Sequence, residues 1–345
     1  MKKFKRNRAI GIFDAEFRLE KLSKLGDPLE RLGKYVDFEL FRSFLETKLS
    51  KIAKGPGGRP GYGYVLLFKI LILQRFYNLS DGQAEYQIND RLSFMRFLGL
   101  TLADEVPDEN TVWNFREHLI EMDLVEALFS LFREELERLH MVIHEGKIVD
   151  ASFIEVPIQR NSKEENAMLS KGEIPASLQE NEDSFAQKDT DARWTKKGNV
   201  AYFGYKNHVK VDSKSKFVLA YEVTSAEVHD SQILETLLDD RDAGQDGFMD
   251  SAYMSEENIA ILEGKGMTPQ ICERAYKNKP LTEAQNDNNK IKSKTRSRIE
   301  HIFGFMEMSM NGMYLYQIGK KRISAMIGLM NLTYNMFRKV QLASC

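Results

Sequence analysis

Lys147-Ile-Val-Asp-Ala-Ser-Phe-Ile-Glu-Val156 decides how this chain folds. Before Gly146 the apolar residues recur with the period of an α-helix; from Lys147 they follow the period of a strand. The segment reads as a strand with Asp150 in its middle, where aspartate is normally depleted. The strand pattern returns at Tyr202–Val211 and at Phe217–Thr224, joined by the turn-forming Asp212-Ser-Lys-Ser-Lys216. Asp230 can cap a short helix to Leu238, and Gly247-Phe-Met-Asp250 makes a short buried strand. Ser255 caps a helix ending at Gly264 or Gly266, Met267–Cys272 is a last strand, and the chain from about Asn289 reads as helix. An antiparallel meander followed by crossover helices implies a mixed α/β sheet covered on both faces. Residues 159–200 are polar and weakly periodic and read as a loop or mobile insertion.

Upstream, residues 1–145 read as helical, which sets an expected boundary between regions 1–145 and 146–345. Phe38, Phe41, Leu45 and Leu49 form one stripe. Gly55-Pro-Gly-Gly-Arg-Pro-Gly61 is loop chemistry, and no Gly-Lys-Ser/Thr follows to make it a phosphate loop. Tyr64–Tyr77 is apolar on nearly every side, as a buried helix would be. Ser80 opens a further helix to Arg91, Ser93–Leu98 forms another, and Thr111–His140 supplies one or two more.

Composition excludes several classes. The 345 residues are 42% apolar and 29% charged with 8 prolines, which is globular rather than disordered or collagen-like. Cys272 and Cys345 cannot build a disulfide framework or a cysteine-based zinc site, which fits a reducing compartment. The first residues lack the apolar run of a signal peptide. The most apolar run, Val65–Leu73, contains Lys69 and falls far short of the roughly 20 residues that span a bilayer. A soluble protein with no membrane partner is expected.

The near-neutral total of 49 basic against 51 acidic residues hides a segregation. Residues 1–60 carry 15 Lys/Arg against 8 Asp/Glu, residues 101–150 carry 4 against 13, and residues 271–345 carry 13 against 5. Two basic ends around an acidic middle suit a polyanion held at two places. Solvated helix faces would give the same counts.

Three carboxylates occupy places that a packed domain would not ordinarily give them. Asp150 interrupts one apolar strand, Asp250 ends another, and Glu300 sits in Arg298-Ile-Glu-His-Ile-Phe303 within a basic helix. Individually, each could be a turn former or an ion-paired surface residue. Converging at one sheet edge they would repel one another unless cations intervened. Hard oxygen ligands suit Mg²⁺ or Mn²⁺, and a pair of such ions supports phosphoryl transfer. Lys292, Lys294, Arg296 and Arg298 would then flank the site as phosphate contacts.

With these residues in view, the chain resembles bacterial insertion-sequence transposases of the DDE type, most closely the insertion-sequence-five group. The matching blocks run along nearly its whole length: Gly58-Arg-Pro-Gly-Tyr62, Tyr77-Asn-Leu-Ser-Asp-Gly82, Asn89-Asp-Arg-Leu92, Pro107-Asp-Glu-Asn-Thr-Val-Trp113, Val149-Asp-Ala-Ser152, Asp191-Ala-Arg-Trp194, Tyr202-Phe-Gly-Tyr-Lys-Asn-His208, Val228-His-Asp-Ser231, Asp250-Ser-Ala-Tyr253 and Arg298-Ile-Glu-His301. The resemblance implies a ribonuclease-H-like catalytic domain after a helical N-terminal region that binds DNA or dimerises. It puts the catalytic, metal-binding triad on Asp150, Asp250 and Glu300 with Mg²⁺ or Mn²⁺ as cofactor. The expected activity is cleavage at the element's ends and transfer of the 3′-hydroxyl into target DNA.

Expected DNA contacts are Arg296, Arg298, Lys294, Lys206, His208, Trp194 and Arg59. For Trp194, Lys206 and His208, surface packing or a solvated sheet face is an equally ready reading, and His229-Asp230 reads more simply as a helix cap than as a metal-adjacent pair. Expected partners are the terminal inverted repeats, target DNA and a second or further copy of the chain, in the bacterial cytoplasm at the nucleoid. Ser293 and Glu307 stand where the family has Tyr and Lys, while Arg296 and Glu300 keep the family residues. A catalytically silent, end-binding repressor descended from a transposase and a two-metal nuclease without strand transfer are the rival readings.

Overall fold

The computed structural model describes residues 11, 13–49, 61–159, 161–176, 185, 187–275 and 280–344. The chain forms two compact units, one of Met1–Gln74, Leu79–Glu117 and Lys339–Cys345, the other of Arg75–Asn78 and His118–Arg338.

Helices make up the described secondary structure of the first unit. They are α1 (Asp14–Leu25), α2 (Pro28–Tyr35), α3 (Arg42–Leu49, preceded by a 3₁₀ turn at Phe38–Phe41), α5 (Asp81–Asp90) and α6 (Leu92–Leu98), with most of α4 (Tyr64–Tyr77) and the start of α7 (Glu109–Glu121). The stripe Phe38, Phe41, Leu45 and Leu49 is buried as its spacing predicts. The Phe38, Phe41, Phe68 and Phe97 rings interlock with centroids 4.7–6.5 Å apart. Each such ring contributes about 1.5–3 kcal/mol by leaving water. Polar ends are tied down as well. Asp27 caps α2 through the Leu29 amide and accepts from Arg96 Nη2 at 2.7 Å. Asp81 receives both Arg116 Nη atoms, at 2.6 and 2.8 Å. A carboxylate satisfied by a guanidinium fork is the form in which charge can be buried.

The second unit holds α8 (Leu124–Arg138) and is built on a mixed sheet of β1 (Lys147–Glu155), β2 (Arg193–Lys197), β3 (Val200–Asp212), β4 (Val218–Ser225), β5 (Asp246–Met249) and β6 (Thr268–Ile271). The order is β2-β3-β1-β5-β6, with β4 also paired to β3. β1, β3 and β4 are antiparallel, whereas β5 and β6 run parallel to β1. Short helices α10 (Leu234–Leu237) and α11 (Glu256–Gly264) provide the crossovers. This meander followed by parallel strands is the ribonuclease-H-like order. Gly204 makes the closest backbone crossing: at φ +149° its Cβ position lies 2.2 Å from the Ile154 carbonyl oxygen, so only glycine fits where β3 passes β1.

The two faces of the sheet have different cores. Val149 and Met249 pack under α10 and α11 with Leu234, Leu237, Tyr253 and Leu262. On the other face, α14 (Lys320–Ala343) reaches the sheet through polar residues: Asn207 pairs with Asn331, and Asn335 bonds both backbone groups of Val218. Before it come α12 (Glu283–Arg296), packed by β5, and α13 (Arg298–Met308), packed by β1.

Two stretches differ from their sequence patterns. The supposed loop at 159–200 holds α9 (Lys163–Ser170), with a Ser162–Glu165 capping box, and the edge strand β2. Asp189 anchors this stretch, accepting from the Asp191 and Ala192 amides, the Tyr205 hydroxyl and the Gly319 amide. These long-range bonds stabilise a segment whose own periodicity is weak. The C-terminal helix expected from Asn289 is divided, with breaks at Ser297 and again between Met308 and Lys320.

Candidate active site

β1 and β5 are parallel neighbours paired at Lys147 with Gly247 and Ile148 with Phe248. Continuing that register two residues would align Asp150 with Asp250, and the Asp250 charge does act on the Asp150 carboxyl. Asp150 lies within β1, whereas Asp250 follows the last residue of β5 and caps the 3₁₀ turn Ser251–Tyr253 through the Ala252 amide at 2.8 Å. The carboxyl ends of parallel strands are where α/β sheets present ligand groups.

Asp150 is the more constrained of the two. Its Oδ1 accepts from the Ala151 amide at 2.9 Å and its Oδ2 accepts from Arg296 Nη1 at 2.8 Å. Burial pushes its carboxyl up to about 6; the Ala151 amide and the Arg296 and Lys197 charges oppose that rise, and the Asp250 charge adds to it. A site that resists a second negative charge is one in which a bound cation has most to relieve.

Glu300 does not join the pair. It is exposed in the first turn of α13, and among the described residues no three His, Cys, Asp or Glu side chains lie close enough to hold a metal ion together. At the C-terminal end of α12 Arg296 donates to Asp150, whereas Glu300, in the first turn of α13, is exposed. Two adjacent carboxylates still suit Mg²⁺ or Mn²⁺, which keep waters and take substrate phosphate oxygens as further ligands. The Tyr253 hydroxyl is consistent with such a centre. Tyr253 is 1% exposed, its hydroxyl has no hydrogen-bond partner among the described residues, and it stays protonated because of burial and the charges of Asp230, Asp150 and Asp250.

The other sequence candidates are placed as follows. Lys294 is exposed on α12. Arg298 donates to the Ser213 carbonyl at 2.8 Å. Trp194 is 44% exposed on β2, with one flank against Phe203 at 5.1 Å, next to exposed Lys196 and Lys197. Lys206 is turned inward, its Nζ 2.7 Å from the Val228 carbonyl and 2.8 Å from Asp230 Oδ1. His208 is fully buried, shares a 2.8 Å hydrogen bond with Thr224 Oγ1, and is held neutral because burial lowers it to about 4. As placed, Lys206 and His208 face the interior rather than a DNA-accessible surface. Arg59 lies outside the described residues. Lys197 and Tyr253 are not among the sequence candidates, and Asp230 enters there only as half of a metal-adjacent pair with His229 or a helix cap; the blocks Val228-His-Asp-Ser231 and Asp250-Ser-Ala-Tyr253 are the signal for Asp230 and Tyr253.

The family described as "Transposase DDE domain" matches residues 143–336, which takes in β1, β5 and both aspartates. The chain belongs to the DDE transposase family. Residues 17–118 match a second family, "Transposase domain (DUF772)". Among solved structures, the chain is similar to the cryo-EM structure of the piggyBac transposase synaptic complex with hairpin DNA, at 11% sequence identity and a TM-score of 0.46, over 93% of this chain and 76% of that one. Among the described residues no helix of this DDE transposase is long and apolar enough to cross a membrane.

Proposed function

We propose that the protein is an active DNA transposase of the insertion-sequence-five group, bacterial in origin, that cuts at the ends of its element and joins the freed 3′-hydroxyl to target DNA. The observation that carries this reading is the nearness of Asp150, in β1, and Asp250, just past the parallel strand β5, each within reach of the other's charge and with the Arg296 guanidinium on Asp150. Asp150 and Asp250 would hold Mg²⁺ or Mn²⁺, with Glu300 as the third carboxylate once α13 reorients on DNA. The metal, when bound, supplies an activated attacking oxygen and a stabilised leaving oxygen. Arg296 then exchanges Asp150 for a phosphate of the DNA backbone, while Lys294 and the Trp194, Lys196 and Lys197 surface of β2 hold neighbouring nucleotides. Two element ends must be brought together, so a homodimer or larger assembly on DNA follows from the activity.

The test is Mg²⁺-dependent nicking and strand transfer on DNA carrying the inverted repeats that flank the coding region. Binding to those ends without any nicking would favour the rival reading of an end-binding repressor. One observation leans that way: Glu300 is exposed, away from the aspartates, while Arg296 occupies Asp150. Nicking without joining would favour a plain two-metal nuclease.

A further inference from the structure

Behind the aspartate pair lies a polar cluster with no part in the reading above. Along β1 and β3 the side chains alternate, so Lys206 and His208 share a face with Phe153, Ala151 and Val149, opposite the Asp150 side chain. Lys206 Nζ lies 5.4 Å from the Phe153 ring centroid, consistent with that assignment. The 3₁₀ turn Asp230–Ile233 packs on the turn Ser251–Tyr253 that follows Asp250. Asp230 enters this contact already anchored by Lys206, at 2.8 Å.

Three buried polar atoms here lack a hydrogen-bond partner among the described residues: His208 Nδ1, at 3.9 Å from Asp230 Oδ1 too far for a hydrogen bond; Asp230 Oδ1 itself, held by its 2.8 Å ion pair with Lys206; and the Tyr253 hydroxyl. Unsatisfied buried polar groups cost free energy, and sites that keep them do so where another group completes them. A Lys-anchored carboxylate packed behind the loop of a metal-binding carboxylate is the arrangement that orients such ligands elsewhere.

We propose that Asp230, anchored by Lys206, is a positioning residue of the catalytic centre: with Tyr253 it fixes the turn that presents Asp250 and strengthens cation binding at the Asp150–Asp250 pair. This rests on the metal-dependent reading above. It assigns to the Val228-His-Asp-Ser231 segment a role beyond capping a helix, and it requires no contact between Asp230 and DNA.

The test uses the full chain without DNA and reads Mn²⁺ affinity by electron paramagnetic resonance, with thermal unfolding as a check on the fold. Asp230→Asn keeps size and removes charge, and is expected to weaken Mn²⁺ binding about tenfold or more, as loss of such partners does in other metal sites. Asp230→Glu is expected to recover much of it. Tyr253→Phe removes an oxygen that bonds nothing in the structure, so it spares folding and is expected to weaken binding in the same direction. Should Asp230→Asn fail to fold, Tyr253→Phe decides. Affinities within twofold of the parent in folded Asp230→Asn, or in Tyr253→Phe if that variant decides, overturn the inference. Asp150→Asn is the control. If it abolishes Mn²⁺ binding while Asp230→Asn leaves it unchanged, only the inference fails; if it too leaves Mn²⁺ binding unchanged, the metal-dependent reading itself fails.

Discussion

Arg296 Nη1 donates to Asp150 Oδ2 at 2.8 Å, so the carboxylate at the centre of β1 already has a cation beside it before any metal arrives. The two side chains are 25% and 15% exposed, which makes this a partly buried pair whose loss is felt. Arg296→Ala leaves Asp150 with its burial uncompensated and is expected to cost about 1–3 kcal/mol of stability without divalent metal. A metal ion binding Asp150 takes over the same neutralisation. The cost should therefore shrink in excess Mg²⁺, and Mn²⁺ should bind Arg296→Ala more tightly than the parent. Thermal unfolding of both proteins with and without Mg²⁺ checks this. An equal loss in both conditions would mean that Arg296 and metal do not compete for Asp150.

His208 predicts a pH dependence separate from catalysis. Burial lowers it to about 4, against an ordinary value near 6.5. The unfolded chain therefore takes up a proton that the folded chain refuses across that interval. The stabilisation is complete above about pH 6.5 and is lost as pH falls toward 4, by on the order of 3 kcal/mol in full and about 2 kcal/mol by pH 5. His208→Gln removes the titration while keeping a polar group for Thr224 Oγ1. Denaturant unfolding at pH 7.5 and pH 5.0 should show the parent losing about 2 kcal/mol more than the variant between the two. Parallel losses would place the titration elsewhere.

The paired aspartates predict a clean separation of binding from chemistry. Asp150→Asn and Asp250→Asn keep the shapes and the amide bonds to Ala151 and Ala252 while removing the charges that would hold metal. Each should reduce Mg²⁺-dependent nicking of end DNA to background and leave end binding close to the parent in a mobility-shift assay. Full nicking by either purified variant would remove that aspartate from the centre.

How far the sequence announces this architecture depends on where each element finds its partners. α4 runs over the expected Tyr64–Tyr77 because burial on every side is written in its own residues, and β1 is legible in the same way from Lys147 onward. β2 is not. Arg193 is fixed by the Leu169 carbonyl and Asp189 by Tyr205 and Gly319, bonds between residues far apart in the chain. The placing of Asp150 beside Asp250 follows from the strand order, but the break at Ser297 has no proline or glycine to announce it. From sequence Lys206 and His208 read as DNA contacts or as a solvated sheet face, and only the fold brings Asp230 and Thr224 to them.

The last prediction concerns the third carboxylate. Glu300 and Glu307 both lie on α13 and are both exposed. Seven residues bring a helix back to within about 20° of the same face, displaced about 10 Å along the axis. They therefore point the same way, yet one metal ion cannot take both as ligands. The family pattern has a cation at 307, where this chain presents a carboxylate that would repel a phosphate backbone. Glu300 lies in the first turn of α13, one turn past Arg296, the partner of Asp150, whereas Glu307 sits about two turns farther along. Glu300→Gln is thus expected to eliminate nicking, and Glu307→Lys to leave nicking intact while tightening end binding in a salt-sensitive way. Neither change should shift the melting temperature by more than a degree or two, since both side chains are exposed. Nicking assays on the two glutamine variants decide between the residues. Activity surviving in Glu300→Gln but lost in Glu307→Gln would move the third carboxylate to 307.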